Sequence, residues 1–359
     1  MYDIKELGMI PPPYGGVSVY LRRLIKKLSA DGFTVGGYYL SSNDNNIVES
    51  PLFDKWSWFE TAKFPFKIFK YIRQLKQYRI LHSHLSLEAM LYLWTFKKIL
   101  NKKVIITIHN SMVENYYKSC NKVNAYFLRC MANDKDVVWI CVSQEGKKQL
   151  EKLPFKFQSE VRVIPAYVPE SCQDNSLPQN LSSYLDAHER NLAFYGHSLM
   201  LNGGVDVYGY NQMLDIYKCA SEVSPELGLV YCMADDSDML GISKLENYAK
   251  ELGVHEKIFW QRGSLPSLQT LWERIDVYVR PTSTDGDSLA VREAIEAGAH
   301  VVTTDVVKRP TECIIYHYGD IKGAAAKILD ILNEERLHKS KDFTQYEIMK
   351  ETYRKLLDN

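Results

Sequence analysis

Ten short runs of β-branched and aromatic residues, separated by longer stretches with helical apolar spacing, constrain this chain more than any other feature. In the first half the runs are Thr34–Leu40, Ile80–Ser83, Val104–Ile108, Val137–Val142 and Val161–Ile164. In the second they are Leu192–Tyr195, Leu227–Met233, Lys257–Trp260, Val277–Arg280 and Val301–Thr304. Between them lie segments such as Val17–Ala30, which sets Val17, Tyr20, Leu21, Leu24 and Leu28 on one helical face. Such alternation predicts βα units built around parallel sheets. The rhythm breaks once, at the polar stretch Pro169–Arg190 with Pro169 and Pro178, which reads as a linker with a short helix. A chain of 359 residues exceeds one ordinary core, so the expectation is an α/β protein of two Rossmann-like domains, without a short-period repeat.

Composition narrows the function classes. Basic and acidic residues balance at 44 each, which leaves no global field for nucleic acid. The N-terminal Met1-Tyr2-Asp3-Ile4-Lys5-Glu6 lacks a basic-then-apolar leader pattern, and no run approaches the roughly 18 apolar residues of a membrane span. The seven cysteines show no CxxC spacing and read as reduced thiols, which makes the cytoplasm the expected compartment. No GxGxxG follows a strand candidate, against a nicotinamide dehydrogenase.

The densest chemical signal runs from Val277 to Gly298: a buried strand, a proline turn, a loop of small residues, then a helix stopped by Gly298. Ligands of open parallel sheets bind beyond the carboxyl ends of strands, where this loop falls. Gly286 and Ser288 allow close approach of backbone amides, and the following helix offers its positive end to phosphate oxygens. Asp285 and Glu293 are carboxylates able to accept hydrogen bonds from ligand hydroxyls.

This stretch resembles the nucleotide-sugar loop of glycosyltransferase family four, with Pro281-Thr282, Asp285-Gly286, Leu289, Glu293-Ala294 and Gly298 in register with the family pattern. The resemblance implies a GT-B fold, two Rossmann-like domains facing each other across a deep cleft. It implies that Asp285 holds donor-sugar hydroxyls, that Glu293 holds the ribose, and that the amides of Gly286, Asp287, Ser288 and Leu289 face sugar and phosphate. Asp285 stands where the family has glutamate, one methylene longer. Upstream, Pro11-Pro-Pro-Tyr-Gly-Gly16 is similar to the family's N-terminal glycine loop, so Gly15 and Gly16 would lie against the diphosphate. Ile105-Ile-Thr-Ile-His-Asn110 resembles the strand that ends in an active-site histidine. This implies a role for His109 at the sugar, with Asn110 and His84, at a similar strand end, as acceptor candidates.

One departure stands out. Where the family opens its second domain with an arginine and a lysine that neutralise the diphosphate, this chain reads Gly196-His197-Ser-Leu-Met-Leu-Asn-Gly203. A diphosphate left unpaired in a desolvated site is costly, so Arg280, Arg292 or both, with His197 assisting, are expected to supply the charge. The competing reading pairs these arginines with Asp285, Asp287 or Glu296. Two Asp-x-Asp triplets, Asp236–Asp238 and Asp285–Asp287, are of a type that binds Mg²⁺. The resemblance implies metal-independent chemistry and no cofactor beyond a UDP- or GDP-sugar co-substrate.

Segment Lys55–Arg79 interleaves six basic residues after Lys55 with Trp56, Trp58, Phe59, Phe64, Phe66 and Phe69, a composition suited to an anionic bilayer face or to a sheet-covering helix with a basic side. With bilayer contact, a polyprenyl-linked or other glycan acceptor follows. The implied organisation is an acceptor-binding domain at 1–168, a linker at 169–190, a nucleotide-sugar domain at 191–338, and a helix within 339–359 packing back on the first domain. The implied activity is retaining glycosyl transfer in surface-polysaccharide synthesis. A non-catalytic GT-B protein and a sugar-nucleotide epimerase remain open beside it.

Overall fold

The computed structural model describes residues 1–11, 15–39, 52–55, 68–109, 113–170, 176–265, 267–286, 288–336 and 340–358. Asn110, Asp287, Pro12–Tyr14 and residues 56–67 of the basic aromatic segment lie outside the described residues. The chain divides into two compact units. One comprises Met1–Val168 with Asp342–Asn359, the other Pro169–Lys341.

The first unit is built on β1 (Tyr2–Ile10), β2 (Val35–Tyr39), β3 (Phe53–Lys55), β4 (Tyr78–Ser83), β5 (Lys103–Ile108), β6 (Val137–Cys141) and β7 (Glu160–Val163). These pair in parallel in the order β3-β2-β1-β4-β5-β6-β7. The five sequence-predicted strands form with shifts of a residue or two at their ends. The central strand β1 was not anticipated, because Lys5 and Glu6 interrupt its apolar run. Both are fully buried. Lys5 survives burial by donating from Nζ to the carbonyls of Gly37 and Leu52, each at 3.0 Å, and to Asp54 at 2.8 Å.

Side chains alternate across a strand, so each face has its own cover. One face carries Ile4, Ile80, Ile105 and Ile140 beneath Tyr20, Leu21 and Leu24 of helix Gly16–Ala30 and Tyr346, Met349 and Tyr353 of helix Thr344–Asp358. The other carries Leu7, Leu81, Val104 and Ile106 beneath Met90, Leu93, Leu128 and Met131.

The second unit holds β8 (Arg190–Gly196), the two-residue hairpin strands β9 (Leu201–Asn202) and β10 (Val205–Asp206), β11 (Leu227–Met233), β12 (Ile258–Arg262), β13 (Val277–Arg280), β14 (His300–Thr304) and β15 (Ile314–Tyr316). Its main sheet is parallel throughout, in the order β12-β11-β8-β13-β14-β15. The polar stretch before β8 is more than a connector. Helix Gln179–Asp186 places Leu181 and Leu185 in the core with Leu177, against Trp272 and Tyr278. In each unit the strand order reverses beside the first strand, between β1 and β4 and between β8 and β13. Open α/β sheets bind ligands at the carboxyl ends of such strands. In each unit, candidate site residues named from the sequence lie at those ends.

Candidate active site

In the second unit, β13 delivers Arg280 at its carboxyl end, and the loop after it leads to helix Leu289–Glu296. Ser288 caps that helix by accepting a hydrogen bond from the Val291 amide at 3.4 Å. Gly298, at φ +83°, lets the chain reverse into β14. A second loop, after β8, braces the first: Ser283 donates from its amide to Val207 O at 3.1 Å and from its hydroxyl to Asp206 O at 2.8 Å. Gly209 makes that contact possible. Its φ is +77°, and a Cβ there would lie 2.0 Å from the Pro281 carbonyl oxygen.

Asp285 sits between two arginines. Arg280 grips it bidentately, Nε to Oδ2 at 2.7 Å and Nη2 to Oδ1 at 3.1 Å. Arg309, on the loop after β14, donates from Nη1 to Oδ2 at 2.7 Å. The Gly286 amide lies 3.0 Å from Oδ1. These contacts use the roughly four lone-pair directions of a carboxylate. All three charged side chains are at least nine-tenths buried. Burial alone would raise the Asp285 carboxyl, but the charges and hydrogen bonds of Arg280 and then Arg309 outweigh it and bring it to about 2. Arg280 also donates to the Tyr278 hydroxyl at 3.1 Å and lies 5.7 Å from the centre of the Tyr208 ring, while Arg309 reaches Thr282 Oγ1 at 3.0 Å. The sequence reading singled out Arg280 and Asp285 as site candidates and did not include Arg309, which no local pattern links to the loop.

Glu293 is buried one helix turn beyond the cap and accepts a hydrogen bond from Trp272 Nε1 at 3.1 Å. Leu289 begins the same helix and Arg292 lies half-buried on it. His197, just after β8, has a buried Nδ1 with no hydrogen-bond partner among the described residues. Buried polar nitrogens are ordinarily satisfied, which makes this atom a candidate ligand contact. Asp238 is occupied as the cap of helix Met239–Glu251. Its triplet partner Asp236 is exposed.

In the first unit, three neighbouring strands place polar side chains at successive positions of one face. On β1 the sequence is Ile4-x-Glu6-x-Gly8, on β4 and just beyond it Ile80-x-His82-x-His84, on β5 and just beyond it Ile105-x-Thr107-x-His109. Glu6 and His82 are register partners. Glu6 Oε2 lies 2.8 Å from His84 Nε2 and 3.0 Å from His82 Nδ1. Tyr353 donates its hydroxyl to Glu6 Oε1 at 2.8 Å, and the Tyr353 oxygen is 2.6 Å from His82 Nδ1. His82 Nε2 meets the Thr107 hydroxyl at 2.7 Å, and His84 Nδ1 meets His109 Nε2 at 2.8 Å. Gly8 leaves room for this array, since a Cβ there would meet the Leu21 side chain at 2.5 Å and His84 Cβ at 3.2 Å.

Burial would raise the Glu6 carboxyl, yet His82 and His84 hold it far below the carboxylate range. Burial drives His84 down to about 4, with His82 adding and Glu6 opposing, and takes His109 well below its ordinary value. The ligand atoms of Glu6, His82 and His84 fall within 4.8 Å of one another, a grouping of metal-binding residue types. Each of those atoms is already committed to a hydrogen bond. Sequence reasoning singled out His84 and His109 and missed Glu6, although the isoleucine-to-polar alternation repeated on three strands was there to be read. Gly15 and Gly16 open helix Gly16–Ala30. A Cβ on Gly16 would meet nothing within 4 Å, and one on Gly15 only Ser18 Oγ at 4.0 Å.

Residues 14–170 match the model of Glycosyltransferase Family 4. No curated protein matches the sequence significantly. Among solved structures, sucrose-phosphate synthase from Thermosynechococcus elongatus is similar over 100% of both chains, at 16% identity and TM-score 0.68. HepE from Anabaena, in complex with UDP-glucose, is similar over 93% of this chain and 90% of its own, at 11% identity and TM-score 0.71. The lipopolysaccharide outer core galactosyltransferase WaaB is similar over 99% of this chain and 98% of its own, at 15% identity and TM-score 0.59. The protein therefore has the two-unit α/β fold of the GT-B glycosyltransferases, and its segment 14–170 matches Glycosyltransferase Family 4.

Proposed function

We propose that the protein is a metal-independent, retaining glycosyltransferase that takes a sugar from a UDP- or GDP-sugar and passes it to a glycan or polyprenyl-linked glycan in surface-polysaccharide synthesis. The observation that carries the reading is the pair of buried guanidinium groups of Arg280 and Arg309 around one carboxylate at the carboxyl end of β13. Two fixed cations beside the start of helix Leu289–Glu296 suit a diphosphate, and they offset the missing arginine–lysine pair at His197 and Asn202. Asp285 holds the arginines, while Glu293, fixed by Trp272, is assigned to the ribose and the amides of Gly286 and Leu289 to sugar and phosphate. His109 is assigned to a sugar or acceptor hydroxyl, and His84 and Asn110 are assigned to the acceptor. Gly15 and Gly16, open at their Cβ positions, leave their backbone accessible to phosphate oxygens. HepE is seen in complex with UDP-glucose and WaaB is a lipopolysaccharide outer core galactosyltransferase, which supports this donor and acceptor class.

In this reaction the acceptor oxygen bonds to the anomeric carbon on the face from which the nucleoside diphosphate leaves. The leaving phosphate takes the acceptor proton, and catalysis rests on positioning and on charge stabilisation at that phosphate. Steady-state assays in EDTA with Arg280→Ala and Arg309→Ala test the reading. Donor KM rises by about tenfold or more in each, as expected for loss of a charge-assisted contact. Unchanged values in both overturn it. The absence of cations at positions 197 and 202 favours a second reading, a non-catalytic nucleotide-binding protein. Donor hydrolysis or transfer by pure wild-type protein eliminates it. No helix among the described residues is long and apolar enough to cross a membrane. We assign the protein to the cytoplasmic side, in peripheral contact with anionic lipid through Lys55–Arg79. Flotation with anionic liposomes checks this, and a protein that stays at the bottom of the gradient refutes it.

A further inference from the structure

We propose that Glu6, His84 and Tyr353 form a buried positioning chain that locks His109 as the Nε2–H tautomer and presents its Nδ1 lone pair as a fixed hydrogen-bond acceptor. The role of that acceptor toward a substrate hydroxyl rests on the functional reading above. The tautomer itself does not.

An ionised carboxylate accepts hydrogen bonds and donates none, so each group at hydrogen-bond distance must bring a proton to it. Tyr353 brings O–H to Oε1, His84 brings Nε2–H to Oε2, and His82 presents Nδ1–H to Oε2 and to the Tyr353 oxygen. A neutral imidazole carries one N–H, so His84 Nδ1 is left as an acceptor. Its neighbour at 2.8 Å, His109 Nε2, must then be the donor. With that proton assigned, His109 Nδ1 bears the lone pair, and among the described residues it has no hydrogen-bond partner. The opposite assignment, with a proton on His109 Nδ1, would set two lone pairs face to face at 2.8 Å inside the protein. The groups facing this chain are Glu6 on β1, His82 and His84 at β4, Tyr20 on helix Gly16–Ala30 and Tyr353 on helix Thr344–Asp358. Burial of His84 and His109 keeps both neutral at physiological pH, in keeping with this pattern.

Tyr353 comes from the closing helix, and its second contact, with His82 Nδ1 at 2.6 Å, ties that helix to the same carboxylate. The ring centroids of Tyr20 lie 6.1 Å from His84 and 6.0 Å from His109, in edge-on geometry, so both imidazoles are held against rotation. Glu6, His84 and Tyr353 thus act through His109 and are positioning residues.

Long-range ¹H–¹⁵N correlation spectra of histidine-labelled protein at pH 7.5 read each ring nitrogen directly. The nine histidines are assigned by single His→Gln variants. His109 is expected with a pyrrole-type Nε2 and a pyridine-type Nδ1, and His84 with the same pattern. A His109 spectrum with the proton on Nδ1, or with both shifts averaged, overturns the proposal. So does a spectrum that changes on adding EDTA, which would assign the cluster to a metal. In His84→Phe, which keeps a ring but removes the acceptor, the His109 shifts move toward the average, and transfer slows roughly tenfold or more while donor KM stays within about twofold. If that variant fails to fold, the wild-type spectrum still decides. If wild-type protein shows the Nε2–H tautomer but neither binds nor turns over any nucleotide-sugar, the functional reading fails and the positioning chain stands.

Discussion

Asp285 illustrates how a residue's neighbours, more than its type, decide what it does. Its place in the loop led the sequence reading to a sugar contact, but its oxygens are taken by Arg280, Arg309 and the Gly286 amide. The bland reading of Arg280, as an ion-pair partner, and the functional one, as a phosphate ligand, are compatible once two arginines share one carboxylate. Arg309 was invisible in the sequence because it lies 24 residues from Asp285, on the loop after a different strand. Glu6 was hidden for another reason: a carboxylate in a central strand is rare enough that composition argues against it. Its cluster makes stability depend on pH. The unfolded His84 takes up a proton near its ordinary 6.5, while the folded one resists until about 4. Full stability is therefore present above pH 6.5 and is lost as pH falls toward 4, by about 3 kcal/mol from this residue alone. Glu6, held below its ordinary value, adds a loss in the same direction at still lower pH. Urea midpoints measured from pH 7.5 to 4 should fall accordingly, with a shallower fall in His84→Phe; a flat profile would contradict the buried neutral imidazole.

Among elements, the strands with a clear apolar run were legible to within a residue or two, as β11 and β13 attest. The strand β1 escaped because Lys5 and Glu6 look like surface residues until their partners on other strands are known, and the two-residue strands β9 and β10 are too short to carry a pattern. The loops these elements hold are more constrained than their composition suggests. At Gly209 the positive φ and the 2.0 Å approach of Pro281 O leave no space for a side chain. Gly209→Ala should destabilise the second unit by roughly 2–4 kcal/mol and raise donor KM, because the backbone must move beside the loop that carries Arg280. Thermal melts and donor titrations check both. A variant that melts and binds like wild type would show that the loop after β8 does not brace the loop after β13.

At the scale of the whole molecule, the α/β class and the two-part division follow from a periodicity the sequence displays openly, whereas the membership of each part does not. Residues 169–190, polar enough to read as a connector, contribute Leu177, Leu181 and Leu185 to the second unit's core. The chain's last helix belongs to the first unit, where Tyr346, Met349 and Tyr353 are buried and Lys350 and the Tyr346 hydroxyl both meet Asp31. Removing residues 342–359 should cost the first unit several kcal/mol, from lost apolar burial at about 1.5–3 kcal/mol per large side chain and from the hydrogen bonds that Glu6 and Asp31 lose with Tyr353, Tyr346 and Lys350. Hydrogen exchange would locate the damage: β1, β4 and β5 lose protection while β8 and β11 keep theirs. Uniform protection across both units in the shortened chain would refute the assignment.

That discontinuity bears on the order of events during synthesis. The second unit is a single unbroken stretch, complete once residue 341 has left the ribosome. The first, though made earlier, waits for residues 344–358 before its central carboxylate meets the phenol from the closing helix. On a translating ribosome the later-made half is thus the first able to reach its finished form, and until the closing helix arrives the earlier-made half carries an ionised group on a sheet face that helix Gly16–Ala30 covers only in part, more open to chaperones and proteases.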